Sequence, residues 1–226
     1  MEWCALFGVA EGTARVALSR MVERDELTSR NGNYELAGDL RHRQPAQDWS
    51  LQPELMDWAG TWVLGLVEAG ARRAPERSAF REAARRLRLA ELRDGVWGRP
   101  DNLPRAAAPL QAWETADAQC TWWSARPSDD STAHAARLFA PAAWADRARA
   151  LQSRLVSSTR LVNGGEAQTI ADAFVVGAAT LAHVRADPLL PVELCGPNWP
   201  GDALRRAYRD YQSTFSGAVR DWFHRH

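Results

Sequence analysis

The sequence feature that most constrains the fold is the dipeptide Asn31-Gly32, which lies between two short segments of extended pattern. A two-residue hairpin turn of type I′ needs two consecutive residues with positive φ, and Asn-Gly is well suited to that need. The dipeptide therefore predicts a β-hairpin that begins near Leu27, with Tyr34 and Leu36 pointing inward on the return strand.

A helix is predicted immediately before this hairpin, because apolar residues recur there at helical spacing. Its buried face is expected to hold Ala14, Ala17, Leu18, Met21 and Val22. Its opposite face is expected to hold Thr13, Val16, Ser19, Arg20 and Glu23. The order helix, turn, helix and hairpin predicts a winged helix-turn-helix.

The charge balance argues against a protein whose whole surface attracts nucleic acid. The formal net charge is zero, and all 28 basic residues are arginine. Residues 1–44 hold six Arg and seven Asp or Glu, so this region should attract phosphate only weakly without specific contacts. A local DNA-reading face remains compatible with this balance.

No catalytic or metal-binding pattern is found in the sequence. The three cysteines are far apart and form no CxxC or Cys/His cluster, which argues against a zinc site or a disulfide framework and favours a reducing cytoplasm. The five histidines form no ligand pattern, and no phosphate-binding glycine loop is present. We therefore expect no enzyme activity, no cofactor and no metal.

Membrane segments are not expected either. No run of about 18 apolar residues is present. The short apolar run near the N-terminus lacks a basic leader, so it does not read as a signal peptide.

The middle of the chain, residues 55–156, alternates strand and helix patterns. Strands are predicted at 61–69, at 89–100 around Asp94-Gly95, and at 119–127. Helices are predicted at 75–89 and at 131–156, the second with a break at Pro141. The order β-α-β-β-α favours a small ferredoxin-like α+β domain.

The last part of the chain, residues 166–226, is predicted to be helical. In its final 25 residues, large apolar side chains are spaced three or four residues apart, as expected for one amphipathic helix. They are Leu204, Tyr208, Tyr211, Phe215, Val219 and Trp222. Such a stripe is typical of a packing or dimerisation surface.

Three stretches of the sequence resemble the PaaX family of bacterial transcriptional regulators. They are "LFGVAEGTARVALSRMVERDEL" (6–27), "LRDGVWGRPDNL" (92–103) and "DPLLPVELCGPNWPG" (187–201). The resemblance implies an α+β protein with a winged-helix DNA-binding domain, a ferredoxin-like middle domain and a helical C-terminal dimerisation or effector domain. We place these domains at 1–44, 45–160 and 161–226.

Two departures from the family pattern concern the first domain. Family members have a further helix before the first one visible here, so the winged helix-turn-helix is expected to lack its first helix. Ala10 also stands where a capping Ser or Thr would be natural, a loss of about 1 kcal/mol.

A helix-turn-helix protein places its second helix in the major groove. The candidate DNA-binding residues are Thr13, Arg15, Val16, Ser19, Arg20, Arg30, Asn31 and Tyr34. Arg15 or Arg20 would meet guanine edges or phosphates, and Thr13 and Ser19 would meet phosphates. The alternative is that these are ordinary solvated residues.

A second basic stripe is expected on the helix from residue 75, at Arg77, Arg81, Arg85 and Arg88. It would hold DNA phosphates or the phosphates of a CoA effector. The favoured alternative is a solvated face opposite Phe80, Ala84 and Leu87.

The sequence thus indicates a cytoplasmic, homodimeric regulator that binds double-stranded operator DNA. The resemblance further implies a repressor released by a small effector such as an acyl- or aryl-CoA thioester. The alternative function is an effector-binding or dimerisation module that has lost DNA binding.

Overall fold

A computed structural model describes residues 4, 6–30, 33–38, 49–68 and 73–225 of the chain. The chain forms two compact units. The first comprises Met1–Leu51, Arg147–Ala186 and Pro200–His226, and the second comprises Gln52–Asp146 and Asp187–Trp199. The α+β class is confirmed, whereas the division into three consecutive domains stays a prediction.

The first unit contains the predicted helix and hairpin. Helix α1 spans Glu11–Glu23, and the antiparallel strands β1 and β2 span Leu27–Arg30 and Asn33–Leu36. Cys4 and Leu6 also have helical backbone. The turn residues Asn31 and Gly32 lie outside the described residues.

Two details of this region differ from the expectation. Tyr34 and Leu36 share the hairpin face of the buried Leu27, but they are 46% and 53% exposed. The hairpin has just two strands, so this face is buried only at Leu27. Ala17 is exposed although Ala14 is buried, because the buried stripe of α1 is narrow and Ala17 lies on the side toward Arg20.

The first unit also contains α6 (Ala167–Arg185), α8 (Gly201–Arg225) and most of α5 (Pro141–Val162). Leu204, Tyr208 and Tyr211 of α8 are buried within the chain. The Tyr211 hydroxyl donates a hydrogen bond of 2.8 Å to the Ala173 carbonyl of α6. The predicted amphipathic helix is therefore confirmed, and its apolar stripe is a packing surface. That this stripe also contributes to a dimer surface stays a prediction.

Helix α6 is long and apolar enough to cross a membrane by length and composition alone. The sequence-based expectation of no membrane-spanning segment therefore does not hold for α6 on length and composition alone. Inside the fold, 39% of its most apolar window is buried, and the core helix of a soluble protein meets the same criterion.

The second unit is built on a four-stranded antiparallel sheet in the order β4-β5-β3-β6. Its strands are β3 (Trp62–Val67), β4 (Ala90–Arg93), β5 (Val96–Pro100) and β6 (Cys120–Ala125). Its helices are α2 (Ala74–Arg86), α3 (Leu110–Asp117), α4 (Ser131–Phe139) and α7 (Val192–Cys195), with a 3₁₀ turn at Arg105–Ala107. From β3 to β6 the order is β-α-β-β-α-β, and α3 is the element that the sequence did not predict.

The two faces of this sheet are covered by different helices. Phe80 and Ala84 of α2 and Trp113 of α3 pack into one core cluster with Cys120 of β6. Trp62 of β3 packs on the other face with residues of α4 and α7. Alternation along β3 explains the two clusters, since successive side chains of a strand point to opposite faces.

The side chain of Arg99 in β5 is buried although it carries a charge, since the residue is only 2% exposed. Its Nη1 donates to the carbonyl of Pro188 at 3.3 Å, and its Nη2 donates to the carbonyl of Leu189 at 2.8 Å. Nη2 also donates to Oδ1 of Asn102 at 2.8 Å, and Nε donates to the Pro100 carbonyl at 3.1 Å. The guanidinium thus joins β5 to the segment that returns to this unit after α6.

Burial, together with the nearby charge of Arg88, lowers the pKa of Arg99 to about 9. The group therefore stays protonated at neutral pH and donates as a cation. Asn102 completes the arrangement, because its Nδ2 donates to the same Leu189 carbonyl at 3.0 Å.

Replacing Arg99 by Lys should lower the free energy of unfolding by about 3 kcal/mol, because one ammonium cannot reach all the acceptors and some stay unsatisfied in the core. Chemical denaturation monitored by tryptophan fluorescence measures this loss. Arg93→Lys in the exposed part of β4 is the matched control and should change stability by less than about 0.5 kcal/mol. Equal stabilities of the two variants would contradict a structural role for Arg99.

Gly177 and Gly217 form a second matched pair, one in α6 and one in α8. A Cβ on Gly177 would lie 2.5 Å from the Tyr211 ring, whereas a Cβ on Gly217 would have no atom within 4 Å. Gly177→Ala should therefore destabilise the protein by about 1–3 kcal/mol. Gly217→Ala should stabilise it by roughly 0.5–1 kcal/mol through helix propensity. Thermal unfolding gives both signs, and stabilisation by Gly177→Ala would contradict close packing of α6 on α8.

Candidate nucleic-acid interface

The outer face of α1 brings together most of the predicted DNA-contacting residues. Thr13, Val16 and Arg20 follow one another at three and four residues along the helix and are all exposed. Ser19 is exposed beside them. This gives one continuous face with hydroxyl, methyl and guanidinium groups.

Arg15 lies at the edge of this face and is engaged by a neighbour. Its Nη2 forms an ion pair of 2.5 Å with Oε1 of Glu11, one turn earlier. Both side chains are largely exposed, so the pair contributes at most about 1 kcal/mol and leaves Arg15 able to exchange partners.

The hairpin does not bring its two described candidates together. Arg30 lies opposite Asn33, and Tyr34 lies opposite Ser29. Since adjacent positions of a strand point to opposite faces, Arg30 and Tyr34 project from opposite sides of the hairpin. Only one of them can face a given surface; the third candidate, Asn31, lies outside the described residues.

The end of α1 sets the direction in which the hairpin leaves. Asp25 has φ of 57°, and its N–H donates to the Val22 carbonyl at 3.0 Å. The next N–H, of Glu26, donates to the Met21 carbonyl at 2.9 Å. These two bonds form a Schellman ending, in which Asp25 occupies the left-handed position that glycine usually takes. No glycine marks this ending in the sequence.

Arg24 is a candidate that the sequence reasoning missed. It is the C-cap of α1, is exposed, and follows Arg20 by four residues. The spacing from Arg20 was the available signal. Glu23 is also exposed on this side, so the face carries charges of both signs.

The N-terminal end of α1 lacks a side-chain cap, as predicted. Ala10 is the N-cap residue, with φ of −60° and ψ of 142°, and no side-chain hydrogen bond caps the helix. The first-turn N–H groups of α1 are therefore not satisfied by a cap side chain.

The second predicted basic surface is shorter than expected. Arg77, Arg81 and Arg85 are exposed on α2. Arg88 lies beyond the end of α2 with φ of 58° and is only half exposed, so it does not continue the stripe. The opposite face, with Phe80, Ala84 and Leu87, is buried as predicted.

Acidic partners reduce the positive charge of α2 further. Glu82 accepts hydrogen bonds from both Arg85 and Arg86. Partial burial alone would raise the pKa of Glu82, but these arginines hold it below its usual value, so the carboxylate stays charged.

A polar cavity of about 260 Å³ lies in the first unit, between the turn after α5 and the outer side of α8. It is lined by Asn163, Gly165, Ser213, Thr214, Gly217, Ala218, Asp221 and Arg225, none of which is aromatic. Within the described part of the chain, no group of three or more His, Cys, Asp or Glu residues is placed to hold a metal ion.

Comparison with known proteins gives two findings. Residues 142–225 match the profile of the PaaX-like protein C-terminal domain. The chain is also similar to the solved structure of Rv0674, an uncharacterized protein from Mycobacterium tuberculosis. That match has 32% identity and a TM-score of 0.71, and it covers 96% of this chain and 87% of the other. No curated protein matches the sequence.

A side-chain cap should stabilise α1. Ala10→Ser is expected to raise the free energy of unfolding by about 1 kcal/mol, because its hydroxyl can accept from an N–H of the first turn at the extended φ and ψ of residue 10. Ala17→Ser, at an exposed position inside the same helix, is the control and should be neutral or slightly destabilising. Thermal unfolding compares the two. A gain from both substitutions or from neither would contradict the assignment of the cap position.

Proposed function

We propose that this chain, which belongs to the PaaX-like family of regulators, is a DNA-binding transcriptional repressor that acts as a cytoplasmic homodimer. The observation that carries this proposal is the exposed face of α1, followed directly by a two-stranded hairpin. The family is one of regulators and not of enzymes, which agrees with the absence of a catalytic pattern in the sequence.

The proposed architecture is a winged helix-turn-helix, a ferredoxin-like domain and a helical C-terminal domain, at 1–44, 45–160 and 161–226. Support for the first comes from α1, β1 and β2 and from the helical backbone at Cys4 and Leu6. Support for the second comes from the β-α-β-β-α-β order and from an antiparallel sheet in which β3 and β5 are central.

In the proposed complex, α1 lies in the major groove. Arg20 donates to the acceptors of a guanine edge, and Val16 contacts a thymine methyl group. Thr13, Ser19 and Arg24 donate to phosphate oxygens beside the groove, which fixes the register of the helix. Arg30 extends these phosphate contacts from the hairpin.

The acidic residues around this face make the affinity of a single α1 low. Glu11 pairs with Arg15, and Glu23 lies exposed next to Arg24. The negative charges of these two carboxylates oppose the approach of phosphate. Two half-sites bound by a dimer would compensate for the weak single contact. This is why the proposed regulator is a homodimer.

The effector is proposed to be an acyl- or aryl-CoA thioester, as the family implies. Its phosphates would find the exposed Arg77, Arg81 and Arg85 of α2. The polar cavity beside α8 is small for a whole CoA molecule, because pockets for ligands of drug size already span about 300–1,000 Å³.

Arg20→Ala should weaken specific DNA binding about tenfold or more, because a guanine contact contributes roughly 1–3 kcal/mol of discrimination. The operator is first selected from genomic fragments, and affinity is then measured by fluorescence anisotropy. Arg93→Ala removes an exposed charge from β4, outside the proposed DNA and effector surfaces, and is the control, with an expected change below about twofold.

Glu23→Gln should act in the opposite direction and tighten binding by about threefold, because it removes a like charge from the phosphate side of α1. Unchanged affinity of both Arg20→Ala and Glu23→Gln, measured on folded protein, would exclude α1 as the reading helix. If the wild type binds the effector but shows no specific DNA binding, the alternative is favoured, namely a module that has lost DNA binding.

A further inference from the structure

The polar cavity beside α8 lies wholly inside the first unit. One of its walls is the turn after α5, with Asn163 and Gly165, and the other is a single face of α8. Most residues of that face follow one another at intervals of four, the spacing of neighbours on a helix surface. They are Ser213, Thr214, Gly217, Ala218, Asp221 and Arg225. These six residues define the α8 cavity face.

Gly217 lies at the centre of the α8 cavity face and has no neighbour that requires a glycine. A Cβ at this position would have no atom within 4 Å, whereas a Cβ on Gly177 of α6 would meet the Tyr211 ring. Glycine inside a helix is less favourable than alanine by roughly 0.5–1 kcal/mol. Gly217 therefore weakens α8 without helping it to pack, and its missing side chain leaves space in the cavity.

Two opposite charges on the α8 cavity face are not paired with each other. Asp221 and Arg225 are four residues apart, a spacing at which a carboxylate and a guanidinium can pair on a helix. Among the residues that the structure describes, however, the Asp221 side chain has no ion-pair or hydrogen-bond partner. Arg225 donates from Nη2 to the Gly165 carbonyl at 3.4 Å. Most of the five N–H donors of Arg225 and the whole carboxylate of Asp221 are thus available to a ligand.

Neutral polar groups complete the lining of the cavity. The side chains of Asn163 and Ser213 have no hydrogen-bond partner within the described ranges. The Thr214 hydroxyl donates to the Asp210 carbonyl at 3.1 Å, so its oxygen can still accept a hydrogen bond. With no aromatic wall, the cavity suits a polar ligand that carries both a positive donor and a negative acceptor.

We propose that this cavity is a binding site for a small zwitterion of the α-amino acid class. Arg225 holds the carboxylate of the ligand, and Asp221 accepts hydrogen bonds from its ammonium group. The volume of about 260 Å³ lies below the range for ligands of drug size and agrees with a molecule as small as an amino acid. This ligand differs from the CoA thioester proposed for α2, and its binding does not depend on whether the chain binds DNA.

The first test is thermal unfolding of the full chain, without DNA, in the presence of each standard amino acid in turn. At about 10 mM, at least one of them should raise the unfolding temperature, because a ligand that binds only the folded state stabilises it. Isothermal titration calorimetry then gives the dissociation constant. If no amino acid raises the unfolding temperature and calorimetry detects no binding, the proposal is overturned.

Derivatives of the amino acid that binds test the need for both charges. Its N-acetylated form lacks the ammonium group, and its amide lacks the carboxylate. Each should bind about tenfold or more weakly than the parent, because each leaves one charged side chain of the cavity without its partner. An N-acetylated form that binds as tightly as the parent would identify a simple anion site and would exclude a zwitterion site.

Gly217→Leu fills the cavity with a side chain that is favourable in a helix. It should abolish binding of the amino acid and leave the unfolding temperature without ligand at least as high as in the wild type. Ser216→Leu adds the same side chain at the neighbouring exposed position, outside the cavity, and should bind like the wild type. Undiminished binding by folded Gly217→Leu would show that the ligand lies elsewhere.

Charge removal keeps the proposal testable even if Gly217→Leu misfolds. Asp221→Asn and Arg225→Gln should each weaken binding about tenfold or more. Arg220→Gln removes an exposed charge next to Asp221 but outside the cavity, and should change affinity by less than about twofold. Wild-type affinity of both cavity variants would overturn the proposal. Because no DNA is present, this failure is distinguishable from failure of the proposed DNA binding.

Discussion

The buried guanidinium of Arg99 is the interaction on which the second unit depends most. It donates to carbonyls of Pro188 and Leu189, and Asn102 donates to one of the same carbonyls. These contacts join two of the three stretches that resemble the PaaX family, 92–103 and 187–201. Because a buried carbonyl without a donor is costly, the contacts also explain why the segment Asp187–Trp199 belongs to this unit although the chain on both sides of it belongs to the other.

Residues with a structural role and residues with a proposed functional role lie in different parts of the chain. The two stretches that meet at Arg99 are structural, so their resemblance to the family reports on the fold. The residues proposed to contact DNA lie on α1, where the backbone ends in a Schellman motif at Asp25 and turns into the hairpin. One sequence therefore carries two kinds of constraint, and only the one on α1 is proposed to involve DNA.

Periodicity predicted the elements well, since local spacing determines them. The recurrence in α1 and α8 and the Asp94-Gly95 turn between β4 and β5 all appear where the sequence indicated. Ala10 was also identified as an uncapped helix start. Tertiary contacts were less accessible. An arginine reads as a surface residue, so nothing in the pattern showed that Arg99 is buried, and the apolar stripe of α8 gave no sign that α6 covers it. The eight-residue helix α3 was missed because it is short and starts after Pro109 without a side-chain cap.

The central claim, that α1 reads DNA, is tested most directly by fluorescence anisotropy of the purified chain with DNA from upstream of its own gene, against scrambled DNA of equal length. Salt of about 150 mM weakens unspecific binding to phosphates and leaves specific contacts visible. If α1 reads DNA, the dissociation constant for the upstream DNA is at least about tenfold below that for scrambled DNA, a difference of roughly 1.4 kcal/mol. Equal affinity for the two DNAs, and for genomic fragments selected with the same protein, would contradict it.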